Sequence, residues 1–349
     1  MEKINLVIVG YGGMGGWHRM FAQKSDVVNL LGIYDIADDR CKLAESEGIY
    51  AYPSLDAVLS DERVDLITVA TPNDAHKEIV IKALEAGKNV ISEKPITMCV
   101  TDLDDMIAAS KRNNRIFTVH QNRRWDTDFL VMKQIYDSGE IGELINVESR
   151  VHGSRGIPGD WRGKKEHGGG MLYDWGIHLI DQMMQMIQEQ VVGVHCTFDH
   201  ITNVEVDDGF KLTITFESGK IAFVEVGTYN FISMPRWYMR CTNGGATVED
   251  WKSDCKVVKC TYLHEDGVMP VKTAAGLTKT MAPRNEHTTE TYEVPQPEAD
   301  VHDFYRNVCK AIRGEAEQLI THAQLRRVLQ VIEAAFRSVN ENKKINCDI

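Results

Sequence analysis

Two stretches carry side chains that could do chemistry together. In VISEKPIT, residues 90 to 97, an apolar run ends on Glu93, Lys94 and Pro95. Pro95 cannot continue a strand, so Lys94 is delivered at the strand's end. An ammonium there could hydrogen-bond a substrate hydroxyl and stabilise the alkoxide that develops as a hydride leaves its carbon. In GGGMLYDWGIHLIDQ, residues 168 to 182, Asp174 and His178 are four apart and Asp181 follows three later. At helical spacing these three share one face, while Met171, Leu172, Leu179, Ile180 and Met183 mark the apolar ones. Histidine is the side chain best suited to take a proton near neutrality, and a carboxylate one turn away can orient it or bind a sugar hydroxyl. Plainer readings exist for each: a surface Glu93–Lys94 pair, or a helix histidine satisfied by an acid. Trp161, Arg162 and Tyr173 can stack on or hydrogen-bond a polyol, or pack in a core. A metal on Asp174 and His178 is not expected, because no further ligands follow at a recognisable spacing.

The company of these stretches favours chemistry. Gly10-Tyr11-Gly12-Gly13-Met14-Gly15 fits G-x-G-x-x-G between an apolar strand and a helical pattern. Glycines there permit a tight turn, backbone approach to a pyrophosphate and close helix–strand packing, with the helix N-terminus facing the anion. Asp35 ends the next strand, 20 residues beyond Gly15 (35 minus 15). A carboxylate at that place accepts hydrogen bonds from ribose hydroxyls and repels a 2′-phosphate. NAD is therefore favoured over NADP, with Arg40 softening the preference. Ile36 belongs to the same expected cofactor rim.

These residues need elements to position them. Ile4 to Val9, Val28 to Tyr34, Leu66 to Ala70, Val90 to Ser92 and Phe117 to His120 read as strands, apolar almost throughout. Helical patterns over 14 to 24, 37 to 47, 75 to 86 and 100 to 113 separate them. Doubly buried strands alternating with helices mean a parallel sheet wound on both sides. In such a sheet ligands sit outside the carboxyl ends of the strands, where Gly10, Asp35, Thr71-Pro72-Asn73 and Glu93-Lys94 all fall. Beyond residue 124 the pattern turns to alternating strands, Lys211 to Phe216, Ile221 to Val226 and Tyr238 to Thr242, with turns at Glu217-Ser218-Gly219 and Asn243-Gly244-Gly245. That predicts an antiparallel sheet. Helical segments over 301 to 313 and 322 to 340 close the chain, and 263 to 298 reads as long loops or weak strands.

Composition excludes several partners. The 349 residues hold 39 basic and 51 acidic side chains, a net charge of −12 with His neutral. Such a balance repels nucleic acid and anionic membrane. The start, MEKINLVIVG, lacks the apolar core of a signal peptide, and no stretch approaches the roughly 20 apolar residues that span a bilayer. Eight scattered cysteines without a C-x-x-C pair fit reduced thiols. A cytoplasmic protein of two domains is expected.

TPNDAHKEIVIKALEAGKNVISEKP, with the glycine fingerprint before it and GGGMLYDWGIHLID after it, resembles the glucose-fructose oxidoreductase and inositol dehydrogenase (Gfo/Idh/MocA) family along essentially the whole chain, to the segment containing DFYRNVCKAIRGE. The resemblance implies an α/β protein: a Rossmann domain over 1–124, then over 125–349 an α/β domain with a large open, mainly antiparallel sheet, used in members for dimer or tetramer contacts. It implies NAD(P)-dependent oxidation or reduction of sugars, inositols and related polyols. Lys94 then matches the EKP lysine that binds the reacting hydroxyl and contacts the nicotinamide ribose. Asp174 and His178 match the second-domain pair, with His178 as acid–base catalyst. Asn73 and His76 match the T-P-x-x-x-H segment beside the cofactor, and Asn122 joins that set. Arg124 is the expected substrate contact of HQNRRWD, ahead of Trp125 and Asp126. Trp161 and Arg162 complete the substrate set. The expected reaction is hydride transfer between a secondary hydroxyl and NAD, and the open RGIPGDWRGKKEHGGG stretch suits a glycoside 3-dehydrogenase. The alternatives are a redox-neutral glycosidase or lyase working through a 3-keto intermediate, and a non-catalytic NAD sensor.

Overall fold

The computed structural model describes residues 2–264 and 267–349. The first half builds a five-stranded, wholly parallel sheet from β1 (Ile4–Val9), β2 (Val28–Tyr34), β3 (Leu66–Val69), β4 (Asn89–Ser92) and β5 (Phe117–Val119), in the order β2-β1-β3-β4-β5. Its centre is apolar and closed to water: Leu6, Ile8, Leu66, Ile67, Val90 and Ile91 are fully buried. Helices α1 (Gly13–Lys24), α2 (Asp38–Ser46), α3 (Leu55–Ser60), α4 (His76–Glu85) and α5 (Val100–Asn113) alternate with the strands. Four of these five helices follow the apolar periodicity; α3 is too short to show one, and its signal is the Ser54 side chain accepting the Ala57 N–H. The strand order reverses between β1 and β3, which opens a crevice at their carboxyl ends.

After α6 (Thr127–Ser138) comes β6 (Leu144–His152), then α7 (Ile177–Met186) and strands β7 (Val191–Asp199), β8 (Gly209–Phe216), β9 (Ile221–Gly227), β10 (Trp237–Cys241), β11 (Gly244–Val248) and β12 (Cys255–Cys260). A small hairpin, β13 (Val271–Thr273) with β14 (Gly276–Thr278), precedes β15 (Thr289–Val294), α8 (Asp303–Ile312), α9 (His322–Glu341) and β16 (Ile345–Asn346). Nine strands form the second sheet, β15-β12-β11-β10-β6-β9-β8-β7-β16, antiparallel except for β6 against β9. Alternate residues of β8 and β10 are buried, as one covered face requires.

The last two helices tie the sheets together. On α8, Tyr305 and Phe304 pack against His18 and His120 of the first sheet's layer. At the start of α9, His322 Nε2 bonds the Phe117 carbonyl, and the Glu333 carboxylate further along accepts the Val100 N–H. The described residues of the 263 to 298 segment supply the small hairpin, a 3-10 turn at Glu286–Thr288 and the edge strand β15, and none of them lines the two clefts discussed below. All eight cysteines are free thiols. No helix among the described residues is long and apolar enough to cross a membrane.

Candidate active site

The glycine turn explains itself in distances. Gly10 has φ +96°, and a Cβ there would sit 2.5 Å from the Ala70 carbonyl oxygen. A Cβ on Gly15 would lie 2.1 Å from the Gly10 carbonyl oxygen, so that glycine lets α1 pack on β1. Gly12 and Gly13 meet nothing within 4 Å. Their open faces and the N-terminus of α1 border a cleft of about 720 Å³, a cradle fit for a pyrophosphate. Asp35 anchors the turn, accepting the Tyr11 N–H at 2.6 Å and the Ala37 N–H at 2.9 Å, while Ile36 stands 91 % exposed at the rim.

Gly10, Gly12, Gly13, Met14, Asp35, Ile36, Arg40, Thr71, Pro72, Asn73, Glu93 and Lys94 all line this cleft, together with Trp161, Arg162 and Asp174 from the second half. Tyr11, Gly15, His76 and Asn122 do not. The Tyr11 hydroxyl turns to Glu47 at 2.5 Å, and burial with that contact pushes its pKa up to about 12. His76 is fully buried with its ring nitrogens on the carbonyls of Thr71 and Pro95, holding two cleft loops together from behind.

At the cleft floor the two halves meet. Lys94 Nζ donates to Asp174 Oδ1 at 2.9 Å and to the Asp174 carbonyl oxygen at 2.8 Å. Arg162 Nε reaches Asp174 Oδ2 at 3.3 Å. Burial alone would raise the Asp174 pKa, but Lys94 and Arg162 outweigh it and hold the carboxylate below its usual range. His178 is 4 % exposed, and among the described residues its buried Nδ1 has no hydrogen-bond partner. Burial, then the charges of Lys94 and Arg123, push its pKa well below the ordinary histidine value, so the ring is neutral at pH 7. Asn73 Nδ2 donates to the Gly168 carbonyl and adds a second tie across the junction.

A model described as "Oxidoreductase family, NAD-binding Rossmann fold" matches residues 4–121, and one for the GFO/IDH/MocA C-terminal domain matches residues 129–247. The chain belongs to the GFO/IDH/MocA oxidoreductase family. The structure of an NAD-binding protein from Listeria innocua is 44 % identical, superposes with a TM-score of 0.96, and the match covers 99 % of this chain and 100 % of that one. A scyllo-inositol 2-dehydrogenase (NADP(+)) of Bacillus subtilis is 24 % identical over 99 % of this chain and 96 % of its own length. An uncharacterized oxidoreductase of Schizosaccharomyces pombe is 33 % identical over 62 % of this chain, and the chain spans only 61 % of that relative. A 2,7-anhydro-N-acetylneuraminate hydratase of Escherichia coli is 30 % identical over 64 % of this chain and 62 % of its own length.

Within this GFO/IDH/MocA chain, the expected shared face of Asp174, His178 and Asp181 does not survive. Residues Leu172–Gly176 form a π-helical turn before α7, which carries Asp174 toward the cleft, while Asp181 is captured elsewhere. Asp181 pairs with Arg124 through Nη2–Oδ1 at 2.6 Å and Nε–Oδ2 at 2.7 Å. Arg124 also bonds the Leu319 carbonyl and Gln324, so the expected substrate contact is a largely covered tie to α9's approach and lines neither of the two clefts. Its neighbour Arg123 lies over Trp175 at 4.0 Å instead. Trp125 packs edge-on to Phe304, and Asp126 pairs with Arg123 at 2.9 Å.

Sequence reasoning also missed the support beneath Lys94. Glu93 Oε1 sits 2.8 Å from both His18 Nε2 and His120 Nδ1, and His18 Nδ1 bonds the Tyr305 hydroxyl. All four side chains are buried. Burial pushes the Glu93 pKa up, but the two histidines more than reverse this and keep it ionised. The ligand atoms of His18, Glu93 and His120 lie within 4.8 Å of one another, a spacing that suits a metal, yet the 2.8 Å separations are those of hydrogen bonds. A histidine three residues past Gly15, on α1's buried face, was the available signal.

Proposed function

We propose that this protein transfers a hydride between a secondary hydroxyl of a sugar, glycoside or inositol and NAD. The observation that carries this is the contact of Lys94 with Asp174 at the floor of the dinucleotide cleft, beside a neutral His178. NAD, when bound, supplies the carbon that accepts the hydride. Lys94 binds the reacting oxygen and offsets its negative charge as the C–H bond breaks. Asp174 aims that ammonium through its carboxylate and its carbonyl oxygen. The neutral imidazole of His178, with Nδ1 free of any protein partner, takes the hydroxyl proton. Trp161, with Arg162 over its ring at 4.5 Å, forms a wall where a sugar or an aglycone can stack, which favours glycosides among the candidates. Asp35, whose Oδ2 holds the glycine turn through Tyr11 while Oδ1 takes the Ala37 N–H, supports NAD over NADP.

A second reading draws on the relative named as a hydratase. There the same residues would oxidise a hydroxyl, allow an elimination or addition beside the resulting ketone, and reverse the hydride transfer, with no net change in NAD. Incubating the purified protein with NAD, and separately NADP, against free sugars, inositols, sugar acids and aryl glycosides separates the two. Absorbance of the reduced nicotinamide reports net transfer, and mass spectrometry reports redox-neutral product. NAD binding with neither outcome across the panel would sink both and leave a nucleotide sensor.

A further inference from the structure

A second cleft, of about 620 Å³, is lined by Arg123, His152, Arg155, Trp175 and Trp251. Asp174 lines the first, and Trp175, the next residue, lines the second. The loop that carries Arg155 into the second cleft runs on to Trp161 and Arg162 in the first. His178 lines neither cleft, but its ring is 6.4 Å from that of Trp175, and Lys94 from the first cleft and Arg123 from the second both act on its charge. A substrate whose hydroxyl meets Lys94 and His178 would therefore extend its far end into the second cleft.

The lining there has a definite chemistry. Two indoles, Trp175 and Trp251, form the walls with their rings 5.9 Å apart, and the Arg123 guanidinium lies 4.0 Å from one and 5.5 Å from the other. Among the described residues the Arg123 side chain makes one hydrogen bond, from Nη1 to Asp126, so its remaining donors have no protein acceptor. Arg155 is exposed, and among the described residues its side chain makes no ion pair or hydrogen bond. The His152 side chain is 4 % exposed, and its buried Nε2 has no hydrogen-bond partner among the described residues. Among the described residues no Asp or Glu lines this cleft, in a chain whose net charge is −12. Asp126 offsets the charge of Arg123 and Glu225 lies 3.8 Å behind His152, which leaves Arg155 as the uncompensated cation.

Flat aromatic walls with free guanidinium donors suit a sugar ring that bears a carboxylate. We propose that the second cleft holds the non-reacting part of the substrate and that this part is anionic, so that the substrate is a sugar acid of the uronate or aldonate type. This rests on the hydroxyl-oxidising reading for the reaction, but not for the binding.

The test uses the full chain with NAD present. Sodium salts of several uronates and aldonates are titrated beside their uncharged parent sugars, and binding is followed through tryptophan fluorescence, since Trp175 and Trp251 form the walls. At least one acid should bind about tenfold or more tighter than its parent, the scale of one charge-assisted guanidinium–carboxylate contact. Arg155→Gln should remove most of that preference while changing binding of the uncharged sugar by less than about twofold. In turnover it should raise KM for the acid at nearly constant kcat. If no acid binds better than its parent, or if Arg155→Gln leaves the preference intact, the proposal is overturned. Selective acid binding without hydride transfer would keep it and sink only the reaction, whereas equal turnover of acid and parent would do the reverse.

Discussion

Lys94 Nζ lies 2.9 Å from Asp174 Oδ1, across a separation of 80 residues and between two different sheets' layers. Asp174 also takes Arg162 Nε at 3.3 Å from its own half, so the carboxylate joins the two halves through two cations. Lys94→Ala should lower kcat by roughly 10²- to 10⁴-fold, the range typical of lost charge stabilisation and proton transfer. Affinity for NAD should change only a few-fold, because the glycine turn and Asp35 carry that binding. Steady-state kinetics with a separate NAD titration measures both; near-normal turnover would remove Lys94 from the chemistry.

His178 sets an acid limit for activity. Its pKa is depressed, by burial first and then by Lys94 and Arg123, so the neutral base form persists below pH 6.5 and is lost only as pH falls through the lowered value. The acid limb of kcat/KM should therefore lie well below 6.5. Arg123→Met removes one of the two cations, and the limb should move upward toward 6.5, whatever it does to the absolute rate. A limb that stays in place would mean that another group titrates there.

Asp35→Ala should loosen NAD binding and narrow the preference over NADP. The carboxylate holds the Tyr11 and Ala37 N–H groups and fixes the turn that faces the pyrophosphate. Losing a charge-assisted contact of this kind costs about tenfold in KM for NAD. Comparing KM for the two nucleotides in both proteins is the check; a preserved ratio would separate Asp35 from nucleotide choice.

Arg124→Ala should act on stability before kinetics. Its partner Asp181 is 2 % exposed at the side chain and would be left charged and buried, a loss of about 3–5 kcal/mol for such broken pairs. Urea unfolding reads this directly. A raised substrate KM with unaltered stability would instead restore Arg124 as a substrate contact.

Asp207 makes stability depend on pH in an unusual direction. Burial raises its pKa to about 7, while its Oδ2 accepts the Leu172 N–H at the start of the π-helical turn that carries Asp174. Between the ordinary carboxyl value near 4 and about 7 the folded state holds more protons than the unfolded one, so this group's contribution to stability falls as pH rises through that window. Asp207→Asn keeps a carbonyl acceptor without the titration. Its unfolding free energy should vary less across the window, and it should gain relative to the parent protein above pH 7. Parallel pH series of denaturant midpoints would reveal it, and identical slopes would refute it.

Much of this was legible in the chain because it is local. Apolar runs with helical stretches between them dictate doubly buried strands, and Gly10, Gly15 and Asp35 are demanded by the turn they occupy; these features need only near neighbours. Lys94 at a strand's end was readable for the same reason, since Pro95 stops the strand there. What lay beyond reach depends on groups brought together from afar. His18, Glu93, His120 and Tyr305 form one hydrogen-bonded cluster, though His18 and Tyr305 are 287 residues apart. Arg123 and Arg124 are adjacent and chemically alike, yet one stacks on Trp175 at a cleft and the other is consumed by Asp181. The π-helical turn divides Asp174 from Asp181 where simple helical spacing would have joined them. Periodicity reports which face is apolar, because burial repeats along an element; which polar group finds which partner is decided only when the layers close and every buried charge must be matched.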